Sequence, residues 1–232
     1  MPNTPALSIL MPVFNEAPTI EHAIAVTLAA ELPTAFELII VDDGSTDGTR
    51  EILDGYDLPG RVTYLRHPYN QGKGAAVRTA LAAARGGYSA ILDADLEYDP
   101  ADLSQLLGPL LAGRTNVVLG VRAFDGYTSH SFAYVLGNKG VTLLANVLFN
   151  VYIRDLMSCH KVMRTELFRE LPLREPGFAI EAEIVARLLQ RGERIYEMPV
   201  SYQARPTEAG KKLTWVDGLR VVRTLVRCRL QR

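Results

Sequence analysis

The sequence Ile91-Leu92-Asp93-Ala94-Asp95-Leu96-Glu97 ends an apolar run with three carboxylates, each two residues from the next. Residues two apart in a strand point to the same side, so Asp93, Asp95 and Glu97 are directed toward one place at the end of a strand. Hard oxygen ligands in such a place suit Mg²⁺ or Mn²⁺, ions that usually also coordinate a phosphate group of a substrate. A solvated acidic turn has the same composition, so this motif predicts a metal site only in a context that agrees with it.

The sequence around this motif alternates short apolar runs with helical patterns. Buried strands are predicted over residues 7–11, 38–41, 62–65, 90–92 and 117–119, and helices over 20–30, 48–53, 75–84 and 100–111. This alternation predicts an α/β fold, with a mainly parallel sheet that has helices on both faces. Ligands of such sheets bind beyond the carboxyl ends of the strands.

Polar clusters lie at these predicted strand ends, and five of them on one edge are hard to explain as loop composition. They comprise residues 12–16, 42–47, 70–74, 93–95 and 120–122. Asp42 or Asp43 is expected to accept hydrogen bonds from a base or a ribose hydroxyl, although Gly44 and Asp47 also suit a helix entry. Residues 70–74 combine backbone N–H groups, Lys73 and a helix N-terminus, a combination that attracts phosphate.

The second half of the chain has a less regular pattern. It predicts one or two helices over 129–153, a helix over 178–190, a strand over 195–202 and a last helix over 215–232. From Arg205 to Arg232 there are eight Lys and Arg against two Asp and Glu, so this segment carries +6 and the remainder −7. On a helical wheel Arg220, Arg223 and Arg227 form a narrow stripe opposite a broad apolar side. Such a basic amphipathic helix can rest on an anionic membrane or pack on the sheet.

The composition of the chain and the motifs that it lacks argue against several classes of protein. The 232 residues are 48% hydrophobic and 22% charged, as in an ordinary folded protein. Cys159 and Cys228 lack metal or redox spacing, which favours free thiols in a reducing compartment. We expect no signal peptide and no membrane span, and the basic end shows no nucleic-acid recognition motif. Neither a P-loop nor G-x-G-x-x-G is present, which argues against P-loop NTPases and dinucleotide-binding dehydrogenases.

Several motifs together resemble family 2 glycosyltransferases of the GT-A fold. Residues 12–16, 41–47 and 70–78 resemble P-x-[YF]-N-E, V-D-D-G-S-x-D and N-x-G-K-G-x-A-x-R. Residues 155–164, Phe178 with Glu181, and Arg205 with residues 210–213 resemble the acceptor-side and terminal segments of polyprenyl- and dolichyl-phosphate sugar synthases, of the dolichol-phosphate mannose synthase type. The similarity extends over about residues 7–213.

This resemblance implies roles for individual residues. The nucleotide sugar would be bound by Pro12, Phe14, Glu16, Val41, Asp43, Lys73, Ala94, Arg205 and Lys211. Asp93, Asp95 and Glu97 would hold Mg²⁺ or Mn²⁺, with Asp93, Asp95 and Arg122 as the catalytic residues and Arg122 meeting the acceptor phosphate. Asp155, Lys161 and Glu181 would lie on the acceptor side. Glu97 stands where Gln is frequent in mannose synthases and Phe14 where Tyr is frequent, so both GDP-mannose and UDP-glucose stay open as donors.

The resemblance also implies an organisation and an activity. A GT-A catalytic domain would span residues 1–213, with a nucleotide-sugar half over about 1–122 and an acceptor half over about 123–213, followed by an amphipathic helix over 214–232. The implied reaction is an inverting, metal-dependent transfer of mannose or glucose from a GDP- or UDP-sugar to a polyprenyl or dolichyl phosphate, at the cytoplasmic face of a membrane. The alternatives are a family 2 transferase with a soluble acceptor and a non-catalytic nucleotide-binding membrane adaptor.

Overall fold

The computed structural model describes residues 5–122, 132–203 and 215–231, and within these ranges it contains seven strands and eight helices. The strands are β1 (Leu7–Val13), β2 (Phe36–Asp42), β3 (Val62–Arg66), β4 (Tyr88–Ile91), β5 (Val117–Arg122), β6 (Lys161–Arg164) and β7 (Ile195–Val200). The helices are α1 (Ile20–Ala29), α2 (Thr49–Gly55), α3 (Lys73–Ala83), α4 (Asp102–Leu111), α5 (Phe132–Phe149), α6 (Thr165–Glu170), α7 (Ile180–Gln190) and α8 (Trp215–Leu230).

The strands form one sheet in the order β3-β2-β1-β4-β6-β5-β7. All neighbours are parallel except that β6 runs antiparallel to both β4 and β5. The predicted α/β fold with a mainly parallel sheet is therefore confirmed. The sequence did not predict β6, and this strand separates the two groups of parallel strands.

Both faces of the sheet are covered, because alternate residues of the strands enter two different hydrophobic cores. In β2, Ile39 and Val41 belong to one core, together with α3, α5, α6, α7 and α8. Leu38 and Ile40 belong to the other, together with α1, α2 and α4. Such double burial explains why β2 is a continuous apolar run rather than an alternating pattern.

The sheet brings the two predicted halves of the chain together. Residues 1–122 supply β1 to β5, whereas β6 and β7 come from the predicted acceptor half. Lys161 of β6 pairs with Ile91 at the end of β4, so the acceptor half enters the sheet beside the acidic motif. Among the helices that the structure describes, none is both long and apolar enough to cross a bilayer.

Candidate active site

The loops after β1 and β2 are joined by side-chain hydrogen bonds. Asn15, whose φ is 53°, donates its N–H to the Ser45 hydroxyl at 2.9 Å and accepts the Thr46 N–H at 2.8 Å. Glu16 donates its N–H to Thr49 at 2.8 Å. These contacts fix the position of Glu16 relative to the β2 loop, as a shared binding edge requires.

The predicted nucleotide-binding residues on this edge differ in exposure. Pro12 and Phe14 are half-buried. Val41, Asp43 and Ala94 are at most 2% exposed, so their side chains support the edge from beneath and do not line an open surface.

Asp43 binds protein groups in the loop before α3. Its Oδ1 accepts the Gln71 N–H at 2.9 Å and lies 2.6 Å from His67 Nδ1, while its Oδ2 accepts the Gly72 N–H at 2.7 Å. Neighbouring Asp42 accepts the Ser45 N–H at 2.9 Å. The expectation that one of the two carboxylates recognises a base or ribose is therefore not reflected in their contacts here; both hold loops of the protein.

The predicted phosphate-binding loop is packed against the protein. A Cβ on Gly74 would lie 2.2 Å from the Glu175 carbonyl oxygen, and one on Gly72 would lie 2.5 Å from that of Pro176. Pro176 also accepts the Ala75 N–H at 3.1 Å. The chain before α7 thus covers the start of α3, and the glycines serve close backbone approach rather than an open phosphate cradle.

Lys73 turns into the protein and joins a buried charge cluster, which we define as Lys73, Asp93, Lys161 and Glu181. Its Nζ lies 2.7 Å from Asp93 and 2.8 Å from Glu181. Lys161 Nζ lies 2.5 Å from the other oxygen of Glu181 and also donates to the Ser158 carbonyl. Both ammonium groups therefore hold carboxylates, and Lys73 positions Asp93.

The charges in this cluster stabilise one another. Burial opposes ionisation, but Asp93, Cys159 and Glu181 raise the pKa of Lys73 well above its ordinary value. Burial likewise opposes ionisation of Asp93, yet Lys73 and the Cys159 thiol hold the pKa of Asp93 below its ordinary value. Asp93 is thus a carboxylate at neutral pH, in a site that would otherwise favour the acid form.

Asp95 and Glu97 form a turn after β4, the acidic turn. Asp95 accepts the Glu97 N–H at 3.1 Å, and Leu96 between them has a φ of 62°, a left-handed conformation that is unusual for leucine. Glu97 accepts the Tyr202 hydroxyl at 2.9 Å, and its carbonyl accepts the Gln203 N–H. A strained backbone held by tertiary contacts is common where a protein positions functional groups.

The three carboxylates of this segment do not converge as predicted. Asp93 faces Lys73 and Glu97 binds Tyr202; within the described ranges, no group of three or more His, Cys, Asp and Glu side chains is arranged to hold a metal ion. The physical reason is that β4 ends at Ile91, before all three carboxylates, and that Leu96 takes a left-handed conformation, so the two-residue alternation of a strand does not hold here. Magnesium is often held by one or two carboxylates together with substrate phosphates, so Asp93, whose side chain is 15% exposed, and half-exposed Asp95 still fit a divalent cation.

Arg122 ends β5 in a buried, two-pronged ion pair with Asp155. Its Nε and one terminal nitrogen contact the carboxylate at 2.7 and 2.8 Å, and both side chains are 3% exposed. The guanidinium also lies over the Tyr202 ring, 5.1 Å from its centre. Tyr202 thereby links Arg122 to Glu97 of the acidic turn, which places both sequence motifs in one site.

Two tyrosines of this site, Tyr98 and Tyr202, were missed by sequence reasoning. Tyr98 packs between Tyr202 and His160, with ring centres 5.3 and 4.7 Å away. His160 is fully buried, and its burial lowers the pKa of the imidazole to about 4. Isolated tyrosines carry no motif; only the spacing of Tyr98 one residue after Glu97 hinted at a role. The predicted donor-binding residues Arg205 and Lys211 lie outside the described residues.

Comparisons with known proteins identify the family of the chain. The family model described as Glycosyl transferase family 2 matches residues 8–172. The chain is 30% identical over 208 residues to Glycosyltransferase AglJ of Haloferax volcanii, covering 89% of this chain and 66% of that protein. It is 28% identical over 226 residues to Low-salt glycan biosynthesis hexosyltransferase Agl6 of the same organism, covering 96% of this chain and 53% of that protein. The chain thus spans about half to two thirds of the length of these two relatives.

A solved structure with the same fold is glucosyl-3-phosphoglycerate synthase from Mycobacterium tuberculosis, in complex with Mn²⁺, UDP and phosphoglyceric acid. The TM-score is 0.75 at 23% identity, covering 97% of this chain and 79% of that chain. The same enzyme was also solved with Mg²⁺ and UDP, at a TM-score of 0.72 and 22% identity. At this identity the likeness establishes the fold alone.

Proposed function

The chain belongs to glycosyl transferase family 2, and from this premise we propose that it transfers a hexose from a nucleotide sugar to a polyprenyl or dolichyl phosphate, with inversion at C1. The donor is a UDP- or GDP-hexose of the glucose or mannose class. UDP is favoured by the solved relatives, which were crystallised with UDP or UDP-glucose. Glu97 and Phe14, which depart from the mannose-synthase pattern, agree with this preference.

One observation carries this proposal: Tyr202 connects the acidic turn to Arg122. Its hydroxyl binds Glu97 at 2.9 Å while its ring lies under the Arg122 guanidinium. Carboxylates suited to the donor side and a cation suited to an acceptor phosphate therefore belong to one continuous site. A transfer between two phosphate-bearing molecules needs this juxtaposition.

The chemistry follows from charge. An oxygen of the acceptor phosphate, already ionised near neutral pH, attacks C1 of the sugar from the side opposite the nucleotide. The new C1–O bond forms as the C1–O bond to the nucleoside diphosphate breaks, and the electron pair leaves with the diphosphate. No proton has to be removed from the nucleophile, which fits a site where His160 is buried and its lowered pKa keeps it neutral.

We propose that Asp93 and Asp95 hold Mg²⁺ or Mn²⁺ against the donor diphosphate. When bound, the ion supplies positive charge where negative charge develops on the leaving group. Lys73 keeps Asp93 ionised and Glu181 fixes Lys73. Arg122 orients the acceptor, and Asp155 fixes Arg122. We further propose that Arg205 and Lys211 contribute charge to the diphosphates and that the protein works peripherally at the cytoplasmic face of a membrane, where its lipid acceptor resides.

The test uses purified protein, Mn²⁺ and radiolabelled UDP-glucose or GDP-mannose, with and without a polyprenyl phosphate. We expect label in the organic phase only when the lipid phosphate is present. The matched variant Arg122→Lys keeps the charge but loses the two-pronged geometry, so it should reduce this transfer at least about tenfold. Absence of organic-phase label with every GDP- and UDP-hexose would refute the proposal.

A second candidate is favoured by the acceptor in the solved relative. That enzyme was crystallised with phosphoglyceric acid, a soluble molecule that also bears a phosphate. The same Arg122 site would suit such an acceptor. In the same assay with phosphoglyceric acid supplied in place of the lipid, label that stays in the aqueous phase and moves onto that molecule would identify this activity.

A further inference from the structure

Helix α5 presents an apolar stripe to solvent although its other side is anchored in the core. Ala145 is fully buried, while Leu136, Leu143 and Val147 are 58%, 64% and 71% exposed. Their spacing of seven and four residues places these three side chains on one side of the helix. The sequence of α5 contains no acidic residue.

Helix α8 packs against α5 and repeats the same arrangement. Val221, Leu225 and Cys228 face the core and are at most 2% exposed. Five other apolar side chains of α8 lie at the surface, 36% to 78% exposed: Val216, Leu219, Val222, Val226 and Leu230. On the apolar side predicted from the helical wheel, Leu225 is buried, whereas Leu219, Val222 and Val226 are exposed, so packing in the core does not account for these three side chains. We define the exposed apolar residues of both helices as the α5–α8 face.

Exposed cations lie on the same two helices as this face. Lys139 on α5 and Arg220, Arg223 and Arg229 on α8 are exposed. The one acidic residue in the sequences of the two helices is Asp217, which pairs with Arg220 at 3.1 Å. Arg227 does not belong to the surface group, because it turns inward to Glu175 and Glu183 at 2.8 Å each. The predicted arginine stripe is therefore divided between the surface and the core.

The α5–α8 face leads directly to the acceptor side of the proposed site. Asn146 of α5 donates to the Ile153 carbonyl and accepts its N–H, both at 2.9 Å. This pair of bonds ties α5 to the segment that carries Asp155, the partner of Arg122. Tyr152 in that segment is 81% exposed, an aromatic side chain of the kind that sits at lipid headgroups.

We propose that the α5–α8 face rests on an anionic lipid bilayer, with Tyr152 at headgroup level beside the Arg122–Asp155 pair. Apolar side chains exposed along two packed helices, with exposed cations on the same helices, match a bilayer whose headgroups carry negative charge. The inference rests on the proposed function, because binding through this face would bring the site to the membrane that contains the lipid-phosphate acceptor. The charge complementarity selects a bilayer over a second copy of this chain, whose own face is equally basic.

The test is flotation of the purified protein with vesicles of neutral phosphatidylcholine, or of phosphatidylcholine mixed with phosphatidylglycerol. We expect binding to the anionic vesicles, weakened at least about tenfold in Leu143→Gln/Val147→Gln. Arg223→Gln should weaken it about fivefold, since one cation near an anionic surface contributes about 1 kcal/mol. The matched controls are Leu111→Gln on α4, which is 47% exposed on the opposite layer, and exposed Arg114→Gln; both should bind as the unmodified protein does.

Three results would overturn the inference: no flotation with anionic vesicles, equal loss in the α4 control, or a dimer in sedimentation that Leu143→Gln/Val147→Gln disperses. Transfer to a polyprenyl phosphate dispersed in detergent separates the two proposals. Variants of the α5–α8 face that no longer float with vesicles but retain this transfer support membrane binding by the face. If the unmodified protein transfers in detergent but does not float, membrane binding by the α5–α8 face is wrong and the proposed function stands. If it floats but does not transfer, the proposed function is wrong and membrane binding by the face stands.

Discussion

Asp93 and Asp95 are two residues apart, yet they belong to two regions that differ in burial and in charged contacts. Asp93 lies in the buried charge cluster, where Lys73 contacts it at 2.7 Å and Glu181 links it to Lys161. Asp95 lies in the acidic turn, half-exposed, and accepts the Glu97 N–H at 3.1 Å. The comparison teaches that one carboxylate of the pair is fixed by the fold, while the other is placed at the edge where a ligand can reach it.

The largest effect should come from breaking the buried charge cluster. Glu181→Ala leaves Lys161 buried without its carboxylate and should lower the free energy of unfolding by about 3–5 kcal/mol, measured by urea denaturation. The matched control is Glu170→Ala, which removes a surface pair with Arg191 and should cost about 0–1 kcal/mol. Equal losses in the two variants would mean that the cluster is not a special stabilising element.

The acidic turn should behave in the opposite way. Asp95→Asn should lower transferase activity about 100-fold or more, because it removes a charge directed at the leaving diphosphate, while the free energy of unfolding changes by about 0.5 kcal/mol or less. Exposed Asp57→Asn serves as the control and should change neither quantity. A large loss of stability in Asp95→Asn would erase the distinction between the two carboxylates.

His160, beside the buried charge cluster, should make the free energy of unfolding depend on pH. Burial lowers its pKa to about 4, so the folded protein binds this proton less readily than the unfolded chain, whose histidine titrates near 6.5. The resulting stability is fully present above pH 6.5 and is lost as the pH falls from 6.5 toward 4, by about 3 kcal/mol in all. His160→Gln should flatten this slope in metal-free protein, whereas exposed His22→Gln should leave it unchanged.

The packing around α3 offers the smallest of these effects. Gly74→Ala would place a Cβ 2.2 Å from the Glu175 carbonyl and should destabilise the protein by about 1–3 kcal/mol in thermal or urea unfolding. Gly108→Ala in α4 meets nothing within 4 Å and should stabilise it by about 0.5–1 kcal/mol. A neutral result for Gly74→Ala would show that the chain before α7 does not press on α3.

Local patterns sufficed for much of the fold. Apolar runs at residues 7–11 and 38–41 predicted β1 and β2 because strands buried on both faces must be continuously hydrophobic. Strand β6 was missed because its sequence, Lys161 to Arg164, is four residues long with a cation at each end. Its strand conformation comes from pairing with β4 and β5, which no local pattern records.

The site was harder to predict than the fold, because its contacts join distant parts of the chain. A lysine in a glycine-rich loop ordinarily suggests phosphate binding. The Lys73 ammonium group, however, contacts Glu181, a residue of α7 that is distant in the sequence. Tyr202 has no motif, and its importance appears only when its ring meets Arg122 and its hydroxyl meets Glu97. The acidic motif was located correctly, whereas the left-handed turn at Leu96 could not be inferred from strand alternation.

Isothermal titration of UDP into the purified protein, with and without Mn²⁺, tests the central claim most directly. We predict that Mn²⁺ strengthens UDP binding at least about tenfold and that Asp95→Asn abolishes this gain while leaving the fold intact. UDP binding that is indifferent to Mn²⁺, or a gain that persists in Asp95→Asn, would contradict the claim that the end of β4 holds a metal ion against the donor diphosphate.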